Sequence, residues 1–223
     1  MNLLNVEQHS NAWWQARLGN CTGSRVADAL SMLKRASNGR VAGDSSQARL
    51  DYMLELALGR ITGIVPEHFV TAAMEWGIEN EKFAVAAYEV VSGNETSRVG
   101  IAAHPRIERF LASPDRYVNH DGVLEVKAPN STTHIAYLKA GVIPSEYEYQ
   151  CMAELACSGR EYLDFVSFDP RFPVKLQVFI APRMYHSEWA EKIAIMEDGV
   201  RKFLAETETL TAELQQLAER RKF

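Results

Sequence analysis

Residues 113–128 read SPDRYVNHDGVLEVKA, which predicts two short strands joined by a polar turn. Pro114 has no backbone N–H and tends to end a strand, so Asp115 is expected at a strand border. Along the second strand the side chains alternate between two faces, so Glu125 and Lys127 project together while their apolar neighbours face the core. Two carboxylates and one ammonium group are therefore expected close together at one edge of a sheet.

The remainder of the chain is a series of helical and strand-like patterns. Apolar spacing, capping residues and glycines predict helices at about 10–17, 23–30, 46–60, 71–91, 132–140, 145–158 and 186–221. β-Prone pieces predict strands at about 97–103, 108–113, 117–118, 121–128, 162–168 and 174–180. Ser145 and Glu148 match a capping box at the start of one helix. This order of elements predicts an α/β fold of the α+β kind, with helices packed on a central mixed β-sheet.

No internal repeat, low-complexity tract or flexible linker divides the 223 residues. A single domain over 1–223 is therefore expected. Its core would span about 10–182, followed by a C-terminal helical segment over about 186–221.

The charge balance bears on which ligands the protein can bind. The chain has 24 Lys and Arg against 29 Asp and Glu, a formal net charge of −5. Nonspecific affinity for DNA is therefore expected to be weak, because it comes from basic side chains that contact the phosphates. The first sixty residues are nevertheless mildly basic, and most of the acidic excess lies between 61 and 160. Net charge therefore does not exclude a nucleic-acid substrate.

Cysteine, histidine and hydropathy patterns narrow the class of protein. Cys21, Cys151 and Cys157 have no C-x-x-C spacing, which disfavours a disulfide framework and a zinc ribbon. The six histidines form no H-x-x-x-H pattern, which argues against a zinc hydrolase. No apolar run approaches the roughly 20 residues of a membrane span, and no secretory signal is recognisable. A cytoplasmic protein with no membrane partner is expected.

The helix expected over 71–91 carries an acidic residue in an apolar position. At 100° per residue, Glu81 falls inside the stripe that is formed by Met74, Ile78 and Val85. A carboxylate there faces a desolvation cost unless it reaches water or meets a cationic partner. The pattern leaves open whether Glu81 belongs to a structural ion pair or to a functional site.

The residues of the opening stretch suit metal-dependent phosphate chemistry. Two carboxylates, here Asp115 and Glu125, can share a hard Mg²⁺ ion with carbonyl and water oxygens. Such an ion polarises a scissile phosphate and lowers the pKa of water. Lys127 could orient or deprotonate the attacking water, or stabilise the charge that develops on the phosphate. Each pattern alone is a weak signal, and the combination indicates phosphodiester cleavage.

Three motifs in order resemble a known family. They are AWWQARLGNCTGSRV at 12–26, EWGIENE at 75–81, and SPD at 113–115 followed by LEVK at 124–127 and a glutamine at 150. This set is similar to the phage lambda-type exonuclease family, also called the YqaJ-like viral recombinase family, over residues 10 to 170. The P-D…(D/E)-x-K pattern is that of the restriction-endonuclease-like superfamily, so the resemblance implies a restriction-endonuclease-like core.

The resemblance implies a metal site. Asp115, Glu125 and the main-chain carbonyl of Val126 would ligate Mg²⁺, and Glu81 matches the helix glutamate near a second metal position. Two ions per active site are implied, and Mn²⁺ would substitute for Mg²⁺.

Two further residues match the catalytic pattern of the family. Lys127 matches the catalytic lysine, and Gln150 matches the glutamine that helps to place the attacking water. The chain departs from many relatives at Met152, where they have a second glutamine. It also has Ala72 and Ala73 in a region where some relatives carry a basic residue.

The segment near the N-terminus resembles the 5′-phosphate pocket of the family. Arg17 matches the arginine that contacts the 5′-phosphate, with Ser24 and Ser113 assisting. A serine at a helix N-terminus beside an arginine is a suitable anion site. Trp13 could stack on a base of the DNA or could belong to the core, and the sequence leaves both open.

The resemblance implies a Mg²⁺-dependent 5′→3′ exonuclease in a bacterial host cell. It would degrade double-stranded DNA with a 5′-phosphate end, release 5′-mononucleotides and leave a 3′ single strand for phage recombination. A homotrimer and a phage single-strand annealing protein as partner are also implied. Two alternatives stay open, namely another nuclease of the superfamily, such as an endonuclease or junction resolvase, and a non-catalytic DNA-binding recombination module.

Overall fold

The computed structural model describes residues 2–36, 39–66 and 70–221, which form two mixed sheets and the helices around them. The first sheet has the strand order β1 (Asn2–Leu4), β4 (Ile101–Ala103), β5 (Phe110–Ala112) and β2 (Cys21–Thr22). The second has the order β10 (Met184–Tyr185), β8 (Tyr162–Phe168), β7 (Gly122–Lys127), β6 (Arg116–Val118) and β3 (Thr96–Ser97), and β9 (Val178–Ile180) also pairs with β8. The mixed α/β fold that the sequence predicts is confirmed.

All helices except α7 (Val174–Gln177) follow the predicted order. Their bounds are α1 (Asn11–Arg17), α2 (Val26–Ala29), α3 (Gln47–Thr62), α4 (Ala72–Ser92), α5 (Ser131–Ala140), α6 (Glu148–Ser158), α7 (Val174–Gln177) and α8 (His186–Arg220). Several begin at residues that cap helices through a side-chain oxygen, such as Ser10 before α1 and Thr71 before α4.

The central strand pair of the second sheet is parallel. β7 and β8 run parallel with Glu125 opposite Phe165, whereas β6 pairs with β7 antiparallel. From Gly122 to Val126 every residue of β7 is buried, so both of its faces are covered, as is usual for parallel strands. The side of β7 that carries Glu125 is therefore interior, although the alternation pattern predicts only the opposite side as core.

Helix α6 connects the two sheets through the core. All residues from Cys151 to Ser158 are buried, and the helix packs on β4 and β5 of the first sheet and on β7 and β8 of the second. It also packs on α8. A polar side chain between Cys151 and Ser158 therefore faces another element of the interior.

The capping-box prediction is wrong. Residues Ser145–Tyr147 form a 3₁₀ turn after Pro144, so Ser145 lies one turn before α6. Helix α6 begins at Glu148, and its N-cap Tyr147 provides no side-chain hydrogen bond.

Two predicted strands also differ from the structure. In the strand expected over 174–180, the residues after Pro173 form the helical turn α7, and the strand begins only at Val178. Pro173 is the N-cap of this turn, and its carbonyl accepts a hydrogen bond of 2.7 Å from the N–H of Leu176. The strand expected over 97–103 is two strands that belong to different sheets, β3 and β4.

The apolar stripe predicted along α4 is only partly buried. Ala84, Val85 and Tyr88 lie in the core, but Met74 and Ile78 are 44% and 47% exposed. The N-terminal half of α4 therefore presents apolar side chains at the surface, near the position of Glu81.

Candidate active site

The parallel strand β7 supplies a carboxylate and an ammonium group. Glu125 is 1% exposed, and Lys127, two residues further on, pairs with its Oε1 atom. Burial alone would lower the pKa of Lys127, but the Glu125 and Asp115 carboxylates outweigh it and hold that pKa above the usual value of lysine. Lys127 is therefore charged at neutral pH.

Asp115 reaches the same place from the border of β6. Its Oδ2 accepts a hydrogen bond of 2.7 Å from the main-chain N–H of Val126. Burial, and next the Glu125 carboxylate, raise the pKa of Asp115 well above its ordinary value. The structure thus brings Asp115, Glu125 and Lys127 together, as the strand pattern predicts.

Helix α6 contributes an amide that contacts both groups of β7. The Nε2 atom of Gln150 donates to Glu125 Oε1 at 2.7 Å, and its Oε1 atom accepts from Lys127 Nζ at 3.4 Å. Gln150 therefore links the carboxylate and the ammonium group on one side of the site.

Glu154 is a member of this cluster that the sequence analysis missed. It is 1% exposed and accepts a 3.0 Å hydrogen bond from Gln150 Nε2. Burial and the neighbouring Glu125 carboxylate raise the pKa of Glu154 well above its usual range. The available signal was one acidic residue in the apolar run CMAELAC over 151–157.

The donor set fits a divalent cation. One carboxylate oxygen of Glu125 and one of Glu154 are buried without a hydrogen-bond partner among the described residues. Buried carboxylate oxygens in this state are stabilised by a cation. Within the described ranges no three His, Cys, Asp or Glu side chains form a metal cage by themselves. A bound Mg²⁺ would therefore have Asp115 and Glu125 as its carboxylate ligands, together with the Val126 carbonyl and water, a mixture that Mg²⁺ commonly accepts.

Glu81 borders the carboxylates and is paired with an arginine. Its Oε1 atom lies 2.8 Å from Nη1 of Arg116, which also donates to the main-chain oxygen of Asp115 at 2.5 Å. Glu81 is among the charges that raise the pKa of Asp115. Glu81 therefore forms an ion pair close to Asp115, and its role in a functional site stays a prediction.

The residues predicted for a 5′-phosphate pocket lie at the ends of two other strands. The pairing of β2 with β5 is parallel, so the residues that follow them, including Ser24 and Ser113, meet at one sheet edge. Nη1 of Arg17 donates to Ser113 Oγ at 3.1 Å. Burial lowers the pKa of Arg17 to about 10, which leaves its guanidinium charged at neutral pH. Ser24 is exposed in the 3₁₀ turn that follows β2.

Trp13 supports this pocket from the interior. It is 6% exposed, and its Nε1 atom donates to Ser113 Oγ at 3.2 Å. The guanidinium of Arg17 lies 4.0 Å from the centre of the Trp13 ring, within the range of a cation–π contact. This placement favours a core position for Trp13 over stacking on a DNA base.

A mixed sheet whose neighbouring strands β6 and β7 bring two carboxylates and a lysine together is the arrangement expected of the restriction-endonuclease-like fold. The chain belongs to the family described as the YqaJ-like viral recombinase domain, whose model matches residues 12–161. A comparison with curated protein sequences gives no significant match. As a separate finding, the described part of the chain contains no helix long and apolar enough to cross a membrane.

Solved structures of exonucleases are similar to this chain. An alkaline exonuclease from Laribacter hongkongensis, LHK-Exo, is 37% identical, with a TM-score of 0.82 over 95% of this chain and 99% of that one. The same enzyme in complex with dAMP gives a TM-score of 0.83 at the same identity and coverage. A phage-related exonuclease from Haemophilus somnus 129PT is 15% identical, with a TM-score of 0.56 over 87% of this chain and 96% of that one. This last likeness concerns the fold alone.

Proposed function

We propose that this protein is a Mg²⁺-dependent DNA exonuclease that degrades double-stranded DNA in the 5′→3′ direction. The observation that carries the proposal is the contact network of Asp115, Glu125, Lys127 and Gln150, with the Arg17–Ser113 pocket nearby. Family membership and the 37% identity to an alkaline exonuclease support the same reaction class.

The carboxylates would hold the metal. Asp115, Glu125 and the Val126 carbonyl would be its protein ligands, and Glu81 would serve a second ion once released from Arg116. When bound, Mg²⁺ supplies polarisation of the scissile phosphate and activation of water, and Mn²⁺ would substitute for it.

The protein groups position the reactants. The charged Lys127 orients the attacking water and stabilises the negative charge that develops on the phosphate. Gln150 fixes Lys127 and Glu125 relative to each other, which limits the reorganisation needed at the moment of reaction.

The predicted 5′-phosphate pocket would select the end of the strand. Arg17 would bind a terminal 5′-phosphate through charge-assisted hydrogen bonds, with the Ser24 and Ser113 hydroxyls assisting. Cleavage one nucleotide away would release 5′-mononucleotides and leave a 3′ single strand. This product suits recombination by strand annealing, so a phage annealing protein is the proposed partner and a homotrimer the proposed assembly, in the cytoplasm of a bacterial host.

The test is digestion of linear duplex labelled at either end, with a 5′-phosphate or a 5′-hydroxyl, in Mg²⁺ or EDTA. We expect loss of the 5′ label first, faster on the phosphorylated end, and no reaction in EDTA. The Lys127→Ala variant should bind duplex but not cut it. Equal cutting of closed circular DNA would instead identify an endonuclease, and loss of the 3′ label first would refute the direction.

A further inference from the structure

The turn after β8 holds an arginine that has no role in the function proposed so far. β7 and β8 are parallel with Lys127 opposite Ser167, so the residues that follow Ser167 emerge at the same sheet edge as Lys127. Arg171 lies four residues later in this turn, and its side chain is 48% exposed. A cationic side chain therefore reaches solvent at the edge that carries the catalytic lysine.

Two contacts fix the guanidinium of Arg171. Asp169, whose side chain is fully buried, accepts a hydrogen bond of 2.7 Å from its Nε atom and one of 2.8 Å from its Nη2 atom. The guanidinium also lies 4.5 Å from the centre of the Trp76 ring on α4. A paired and stacked guanidinium loses little further freedom when it binds a ligand, which lowers the cost of binding.

The same contacts connect Arg171 with both sides of the active site. The hydroxyl of Ser131, four residues after Lys127, forms a hydrogen bond with Asp169. Trp76 lies five residues before Glu81 on α4, which is about 7.5 Å along the helix axis. The turn is therefore held between the strand of the catalytic lysine and the helix of Glu81.

The outer edge of the guanidinium is open to a ligand. Asp169 takes the edge formed by Nε and Nη2, and Nη1 has no hydrogen-bond acceptor in the part of the chain that the structure describes. Since Asp169 is buried and Arg171 is exposed, an anion that approaches from solvent meets the guanidinium first. The two nitrogens of its outer edge can contact two oxygens of one phosphate group.

We propose that Arg171 binds an internal phosphodiester of the duplex substrate, and that Asp169 and Trp76 position it for this contact. The ligand is a backbone phosphate and not the terminal 5′-phosphate, for which the structure offers Arg17 at the other sheet. The proposal rests on the exonuclease function, since it takes duplex DNA as the substrate.

The test measures how DNA binding depends on salt. Fluorescence anisotropy follows a blunt duplex with 5′-hydroxyl or 5′-phosphate ends in EDTA, in which no cleavage is expected, from about 50 to 200 mM salt. Each phosphate contact by a cationic side chain contributes about 0.9 to the slope of log Kd against log salt. Arg171→Gln should therefore lower this slope by about 0.9 and weaken binding about tenfold at the lowest salt concentration, equally for both duplexes.

A second variant separates the lost contact from a loss of stability. Arg171→Gln leaves the buried Asp169 without its cation, whereas Asp169→Asn combined with Arg171→Gln removes both charges and keeps the net charge of the chain. This double variant should show the same lower slope. Arg201→Gln is the matched control, because Arg201 has a similar side-chain exposure of 43% and pairs with Glu197 and Asp198, but lies on α8. It should keep the wild-type slope and affinity.

Different outcomes overturn different claims. A wild-type slope in the double variant, or an equal decrease in Arg201→Gln, overturns the assignment of Arg171 even if the wild type digests the duplex in Mg²⁺. A loss confined to the duplex with 5′-phosphate ends also overturns it, because the contact would then be to the terminal phosphate. A lower slope on both duplexes, without any digestion by the wild type in Mg²⁺, supports the phosphodiester contact and overturns the exonuclease function.

Discussion

Removal of the Lys127 ammonium group should destabilise the protein in the absence of metal. Lys127 pairs with Glu125, whose side chain is 1% exposed, and Gln150 contacts both. Breaking one partner of a buried ion pair costs about 3–5 kcal/mol. Because the Lys127 side chain keeps 26% exposure, we expect the lower end, about 3 kcal/mol for Lys127→Met.

The expected loss is large enough to measure by thermal unfolding in EDTA. For a chain of this size, 1 kcal/mol corresponds to roughly 2–4 °C, so Tm should fall by about 6–12 °C. The pKa of Lys127 lies above its usual value, and a raised lysine contributes stability fully below its unfolded pKa. The loss should therefore be complete at neutral pH.

A double-variant cycle distinguishes unpaired charge from lost packing. Glu125→Gln combined with Lys127→Met removes both charges and keeps the shapes, so most of the stability should return. Mg²⁺ should also restore part of the stability of Lys127→Met by replacing the missing positive charge. The reasoning would be refuted if the double variant were as unstable as Lys127→Met alone. It would also be refuted if Lys127→Met were as stable as the wild type.

Three further perturbations test other parts of the structure. Arg17→Ala should remove most of the preference for a 5′-phosphate over a 5′-hydroxyl in digestion rates, because the Ser113 hydroxyl alone cannot neutralise the phosphate. An unchanged preference would count against the predicted 5′-phosphate pocket. Burial opposes ionisation of Asp169, but hydrogen bonds from Arg171 outweigh it and lower its pKa to about 2. The resulting stabilisation is present above pH ~4 and is lost as the pH falls through about 2. The difference in stability between the wild type and Asp169→Asn should therefore disappear over that window. A difference that does not depend on pH would contradict this prediction. Gly100→Ala should lower stability by about 1–3 kcal/mol in urea unfolding, because its Cβ would overlap a main-chain oxygen of the N-terminal strand; an unaltered midpoint would show that this strand can shift.

The strand geometry of the site was predictable because it depends on local rules. Alternation along β7 places Glu125 and Lys127 on one side, and the antiparallel partner β6 begins directly after Asp115. Both relations are fixed by periodicity and by a proline at a strand border. The position of Gln150 came from the family resemblance, because a helix twenty-three residues beyond Lys127 is not constrained by the strand pattern.

The environment of the site was less predictable because it depends on contacts between distant residues. Arg116 and Glu81 are 35 positions apart, and nothing in the spacing of either segment indicates that they pair. Glu154 is buried because α6 passes between both sheets, and that position is set by packing of the whole chain. Local patterns likewise missed the 3₁₀ turn before α6 and the helical turn α7, both of which follow a proline.

The burial of the thiols has a practical consequence for labelling. Cys21, Cys151 and Cys157 are free and at most 1% exposed, and burial raises the pKa of each, that of Cys21 to about 12. Since the thiolate is the reactive form, maleimide dyes should leave the native cysteines unmodified. A cysteine introduced at the exposed Gln215, in the last turns of α8, would then carry a single fluorophore. Individual molecules could be followed along a stretched duplex without altering a residue of the site.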